Sequence, residues 1–267
     1  MNILVLAGAR IEEDECLAGT GTYRAGLVVG GKSLLEQALS TFSGLSDLGK
    51  VVLVGPEKLV PQSCRELLTE IIEPGTEMLE NLEKGLGVLP QEEPVLVAAS
   101  DLPLLTQAAV ADFLSSCVKR QAELYYPVIR RETYESAFPG SVRTYLRLRD
   151  GVFTGGNMVL FSPASVYDRH RELLAKAVAD RKRPHRLARF FGPGFFLGLL
   201  LRRYTVAQIE SRVNSRFGLR AVAVESRFSE MGYDVDSRED LDWIEFYWGG
   251  SLSGVIRKGQ IGGDTDG

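Results

Sequence analysis

Two aspartates, each at the end of an apolar run, are the residues of this 267-residue chain best suited to chemistry. Asp101 closes Val95-Leu96-Val97-Ala98-Ala99-Ser100. Asp236 lies in Tyr233-Asp234-Val235-Asp236-Ser237-Arg238-Glu239-Asp240-Leu241. An ionised carboxylate at the tip of a buried strand is costly unless it is hydrated or faces a cation. Two such tips brought together suit Mg²⁺, a hard ion that takes one or two carboxylates along with water and substrate phosphates. The pair therefore points to chemistry on a nucleoside triphosphate or a nucleotide sugar. Each aspartate also has a competing reading as a helix cap. Asp101 is poorly placed for it, because Leu102-Pro103 intervenes before Thr106. Asp236 is better placed, since a helix would start at once from Ser237-Arg238-Glu239. Asp234 reads as a support residue.

The elements that must position these residues alternate in type. Ile3–Ala7 is a short apolar run closed by Gly8, and Val51–Val54 is another closed by Gly55-Pro56; both read as buried strands. Ser33 and Glu36 form a reciprocal cap for a helix over Leu34–Leu39. Helices are also expected over about 61–70, over about 77–88 capped by Thr76, and over 106–118, with Ile71-Ile72 and Val95–Ala99 as strands. Apolar strands alternating with helices predict a three-layer α/β/α fold around a mostly parallel sheet. In such sheets ligands sit outside the carboxyl ends of the strands, where Gly8, Gly55 and Asp101 all fall. The second half is more polar in pattern. Leu124–Ile129, Thr144–Arg149 and Met158–Phe161 read as an antiparallel lobe spanning about 124–161 that closes over a site. Residues about 163–217 read as a helical insertion, broken at Pro184 and at Gly192-Pro193-Gly194, followed by a strand over Leu219–Val224 and a last helix over Arg238–Trp248. One domain is expected over 1–248, with a disordered tail over 249–267.

Composition limits the alternatives. The net charge of −4 gives no general affinity for nucleic acid or for an anionic surface. Arginine concentrates between Arg169 and Arg220, which reads as a solvated helical face. Three widely spaced cysteines, Cys16, Cys64 and Cys117, form no disulfide framework and no zinc pattern, which suits a reducing cytoplasm. With only His170 and His185, a histidine metal site or a Ser-His-Asp triad has too few parts. The N-terminal apolar run is too short for a signal peptide. Phe195–Leu201 is too short to span a bilayer, and Phe190–Leu201 is a candidate homodimer interface. Gly26-Leu27-Val28-Val29-Gly30-Gly31-Lys32-Ser33 matches the phosphate-binding-loop pattern literally. No strand leads into it, however, and its variable positions are apolar, so the match is set aside.

Five motifs in order give the chain a family resemblance over residues 1–245: Leu6-Ala7-Gly8-Ala9-Arg10; Arg24-Ala25-Gly26-Leu27 with Gly30-Gly31-Lys32-Ser33-Leu34-Leu35-Glu36; Asp101-Leu102-Pro103; Thr154-Gly155-Gly156-Asn157; and Asp234-Val235-Asp236-Ser237-Arg238-Glu239-Asp240-Leu241. In these the chain resembles the MobA-like nucleotidyltransferases, which share the glycosyltransferase-A type fold. The resemblance implies that Leu6, Ala7, Gly8, Ala9, Asn81 and Ser100 contact the nucleotide. It implies that Arg10, Arg24 and Lys32 counter triphosphate charge, with Arg24 standing where the family usually has lysine. Asp101 and Asp236 would hold Mg²⁺, and Gly155, Gly156 and Asn157 would meet the acceptor. Ala9 replaces the second glycine of the opening loop, and the R-M-G sequence of the molybdopterin enzymes is absent. The implied activity is transfer of a nucleoside monophosphate from an NTP to a small phosphate or hydroxyl acceptor, releasing pyrophosphate. A glycosyltransferase of the same fold and a nucleotide-binding pseudoenzyme are the alternatives.

Overall fold

A computed structural model describes residues 1–11, 22–179 and 191–249. The tail expectation, the break at Pro184 and most of the segment between Arg10 and Arg24 fall outside those residues. The first half contributes four strands to the main sheet, β1 (Asn2–Leu6), β4 (Val51–Val54), the edge strand β5 (Glu70–Ile72) and β6 (Val95–Ala99). They lie parallel in the order β5-β4-β1-β6, with Ile3 opposite both Val51 and Leu96. Covering both faces explains why β4, and β1 after Asn2, are apolar. One core gathers around Ile3, Val5 and Leu53, and the other around Leu4, Val52 and Val54. α1 (Leu34–Ser43) lies between β1 and β4, α2 (Met78–Gly87) joins β5 to β6, and α3 (Gln107–Cys117) follows β6. Ser33 caps α1 by accepting the Glu36 amide at 3.1 Å. Gly85 lets α2 approach the sheet, since a Cβ there would meet Leu4 at 2.2 Å.

The expected helix at 61–70 is instead a 3₁₀ turn over Gln62–Leu67, linked by Leu68-Thr69 to β5. Pro61 starts the turn, and the run is too short to propagate as an α-helix. Thr76 does not cap α2. Glu77 precedes the helix without a side-chain cap, and the Thr76 amide donates to the Glu80 carboxylate. The loop-like match at Gly26–Ser33 is a hairpin of β2 (Val28–Val29) and β3 (Lys32–Ser33), turned by Gly30 and Gly31 at φ +60° and +81°. No phosphate-binding loop leaves a strand there.

The antiparallel pairing expected over 124–161 is present, but it is built into the same sheet. β7 (Leu124–Arg130) pairs in parallel with β11 (Ala221–Ser226). Its other edge is shared, by β10 (Met158–Phe161) at Leu124 and Tyr125, and by β9 (Gly151–Gly155) from Val128 to Arg130. β9 and β10 therefore run along β7 as one antiparallel strand interrupted at Gly156-Asn157. Only the β8 (Leu146–Leu148) hairpin with β9 extends beyond this frame. A helix not anticipated from the sequence, α4 (Arg131–Ala137), follows β7 directly. The C-terminal half adds α5 (Pro163–Ala179), α6 (Pro193–Leu200), α7 (Val206–Phe217) and α8 (Arg238–Gly249).

Candidate active site

The site forms where β6 ends. The Ser100 amide donates to the Leu6 carbonyl at 3.1 Å, tying the ends of β6 and β1 together, and Ser100 itself is buried. Leu102, Pro103, Leu104 and Leu105 then turn into the core and leave the Asp101 carboxyl at the strand tip. The Val235 amide donates to the Asp101 carbonyl at 3.1 Å, joining two segments more than a hundred residues apart. Residues 233–236 alternate in burial: Tyr233 and Val235 are sealed in the core, whereas Asp234 and Asp236 are only partly buried. In an extended segment this period of two puts both acids on one side. Tyr233 is held by Phe138 and Trp243, with ring centroids at 4.9 and 5.3 Å, and by its hydroxyl, which donates to the Asp240 carbonyl.

One carboxylate oxygen each from Asp101, Asp234 and Asp236 lies within 4.8 Å of the others. The capping alternative for Asp236 is answered by its neighbours. Ser237 accepts the Asp240 amide, and Asp240 Oδ2 accepts the Asp236 and Ser237 amides, so α8 is capped without the Asp236 side chain. Arg24, in a 3₁₀ turn after the first loop, forms an ion pair with Asp236. Arg143 forms one with Asp234, and its Nη2 donates to the Gly155 carbonyl at 3.3 Å. Asp101 Oδ1 is buried and has no hydrogen-bond partner among the described residues. Burial, with Asp234 and Asp236 adding repulsion and Arg24 opposing, pushes the Asp101 carboxyl up to about 7. Burial also raises Asp234, against the pull of Arg143.

The residues expected on the nucleotide side surround this cluster unevenly. Ala7 and Gly8 are buried at the end of β1, and Ala9 and Arg10 are exposed. A Cβ at Gly8 would meet Asn81 Nδ2 at 2.6 Å and Pro74 at 2.7 Å. Asn81 is buried and accepts the Gly75 amide at 2.6 Å, so it ties α2 to the loop beside Gly8. Arg10 stacks its guanidinium over the Tyr23 ring at 5.6 Å, and the Arg24 amide donates to the Ala9 carbonyl, which zips the two flanks of the first loop. Lys32 is exposed on the hairpin; among the described residues no hydrogen bond or ion pair joins its side chain to the carboxylates.

On the other side, Gly155-Gly156-Asn157 is the bend at which the strand along β7 passes from β9 to β10. The Gly156 amide donates to Pro127, and the Asn157 amide to Met231. The Asn157 carbonyl accepts the Ala99 amide of β6 at 3.2 Å, which brings this bend to the Asp101 tip. Two residues of the cluster were not anticipated as a pair, Asp234 and Arg143. The alternation of Tyr233 to Asp236 was a readable signal for Asp234. Arg143 carried none, lying in a loop with no pattern of its own.

A family profile described as a MobA-like NTP transferase domain matches residues 17–190. That span holds Arg24, Lys32, Asn81, Asp101 and Gly155–Asn157; Gly8 and Asp236 lie outside it. A structure from Thermus thermophilus described as a hypothetical transferase is 35% identical, with a TM-score of 0.76 and coverage of 90% of this chain and 98% of that one. A 4-diphosphocytidyl-2C-methyl-D-erythritol synthase from Anaerococcus prevotii is 14% identical, with a TM-score of 0.56 and coverage of 92% and 94%. A 2-C-methyl-D-erythritol 4-phosphate cytidylyltransferase, also from Thermus thermophilus, is 18% identical, with a TM-score of 0.52 and coverage of 92% and 98%. The last two share the fold. No curated protein matches the chain.

Proposed function

The chain belongs to the MobA-like NTP transferase family and is a nucleotidyltransferase, and from that premise we propose a Mg²⁺-dependent transfer of a nucleoside monophosphate to a small phosphate or hydroxyl acceptor. The observation that carries this reading is the convergence of Asp101, Asp234 and Asp236 beside Arg24. The donor set fits Mg²⁺: all are hard carboxylate oxygens, and Asp101 Oδ1 is buried with no other partner among the described residues. Asp101 and Asp236 would hold the ion, with Asp234 beside them and kept in place by Arg143. When bound, Mg²⁺ supplies charge neutralisation for the triphosphate.

The chain's own residues do the rest. Gly8 leaves the backbone open at the end of β1, where a Cβ would collide with Asn81 and Pro74. Leu6, Ala7, Ala9 and Ser100 line the same strand ends. Arg24 and Arg10 counter the phosphate charge; Arg24 is already aimed at the carboxylate cluster. Gly155, Gly156 and Asn157 face the acceptor at the β9–β10 bend, and Lys32 would approach from the hairpin only once substrate is present. An acceptor oxygen attacks the α-phosphorus; its new P–O bond forms as the bond to pyrophosphate breaks. An acceptor that is already an anionic phosphate needs no general base. Cys64 and Cys117, free and buried, accord with a reducing cytoplasm.

The test is the thermal midpoint of the protein with each of the four NTPs, with and without Mg²⁺. Binding at a hundredfold excess over Kd stabilises by about 2.7 kcal/mol. A rise with one NTP that requires Mg²⁺ supports the proposal. A rise only with a nucleotide sugar would move the assignment to a glycosyltransferase, and no rise with any nucleotide would remove it.

A further inference from the structure

Helix α6 buries one side and bares the other. Phe195 is buried, with its ring 4.9 Å from Tyr204 and 4.6 Å from Phe191. Gly198 lies so close to Tyr204 that a Cβ would meet its ring at 2.5 Å. Facing away, Phe196 is 39% exposed, Leu197 54%, Leu200 69% and Leu201 51%. Their spacing makes one apolar stripe along the helix and its final turn. The rim of the stripe is cationic. Arg202 and Arg203 follow it and are exposed, and the Arg149 amide donates to the Tyr204 carbonyl at 2.9 Å, bringing the exposed Arg149 alongside.

We propose that this face is a peripheral docking surface for an anionic lipid bilayer. Four apolar side chains suit the boundary between headgroups and acyl chains, and the arginines suit anionic headgroups; together they supply the two signals that stable surface binding needs. A second copy of the chain fits less well. A two-fold contact would set this patch against itself, bringing Arg202 and Arg203 against their own copies with Asp150 as the one acid placed at its rim among the described residues. The surface does not span a membrane: no helix among the described residues is long and apolar enough. It lies at the Asp150 end of β9, where the Val206 amide donates to Asp150 Oδ2. The carboxylate cluster lies at the Gly155 end, so the docked face and the site are about one five-residue strand apart, roughly 17 Å.

The experiment is co-sedimentation of the full chain with vesicles of phosphatidylcholine alone and of phosphatidylcholine mixed with phosphatidylglycerol, at low and high salt. Binding should favour the anionic vesicles and weaken with salt. The double variant Leu197→Glu/Leu200→Glu, altered only at exposed positions, should lower the partition coefficient by on the order of tenfold or more while leaving the circular dichroism spectrum unchanged. Arg203→Glu should lower it with the apolar stripe intact. Absence of binding to anionic vesicles overturns the proposal. So does equal binding by wild type and both variants. A wild-type dimer in light scattering that the double variant dissociates, without vesicle binding, assigns the face to self-association instead.

Discussion

Asp101 carries the sharpest consequences of any single residue. Its carboxyl titrates near 7 in the folded chain, against about 3.9 for a free aspartate. Between those values the folded state holds a proton that the unfolded state has lost. Stability of the metal-free protein should therefore fall as pH rises through that window. Asp101→Asn removes the penalty. At pH 8 without divalent cation it should be more stable than wild type by about 1–2 kcal/mol, a rise of roughly 2–8 °C in the thermal midpoint. The same substitution should lower turnover by on the order of a hundredfold or more. A variant that is stabilised and fully active would take Asp101 out of the mechanism. Arg143 gives the opposite case. Its pair with Asp234 is largely buried, with side chains 17% and 14% exposed. Arg143→Met should cost about 2–4 kcal/mol in denaturant unfolding by stranding a carboxylate, and adding Asp234→Asn should recover most of it.

At the scale of elements, two helix starts invite a paired comparison. Ser237 caps α8 through a reciprocal bond with Asp240, whereas Thr76 makes no side-chain cap for α2. Ser237→Ala should cost about 1 kcal/mol and Thr76→Ala a few tenths, read from urea midpoints at constant slope. Equal losses would contradict the capping assignment. The β9–β10 bend offers another contrast. A Cβ at Gly155 meets the movable Tyr126 hydroxyl, but one at Gly156 meets Pro127 at 2.8 Å and the Met231 carbonyl at 3.2 Å. Gly156→Ala should therefore destabilise by about 1–3 kcal/mol, and Gly155→Ala by less.

For the whole molecule, the continuous sheet makes a cooperative unit of the two halves. β10 pairs with β6 on one side and β7 on the other, so the parallel half and the mixed half share backbone bonds through the centre. Calorimetry should show one unfolding transition with equal calorimetric and van't Hoff enthalpies. Two transitions, one belonging to the first hundred or so residues, would show that the halves fold apart.

Local pattern was enough to read the main strands of the parallel half and helix α1, though not the 3₁₀ turn at Gln62–Leu67 or the start of α2. The apolar runs at β1, β4 and β6 are the direct imprint of strands buried on both faces, and Ser33 with Glu36 marks α1 because a cap is a contact between near neighbours. The strand tip at Asp101 was legible for the same reason. What needed the folded chain was everything depending on long-range pairing. Nothing in the residues of β7, β9 and β10 states that they share one edge, since strand pairing is set by partners far along the chain. Thus an expected lobe turned out to be inner sheet. The carboxylate cluster divides the same way. The sequence alone determined two acid-bearing segments and the alternation that turns Asp234 and Asp236 to one side. Only the tertiary structure decided that Asp101 meets them, and that Arg24 and Arg143 hold their charge, because the Val235–Asp101 bond and both ion pairs join residues that chain order keeps apart.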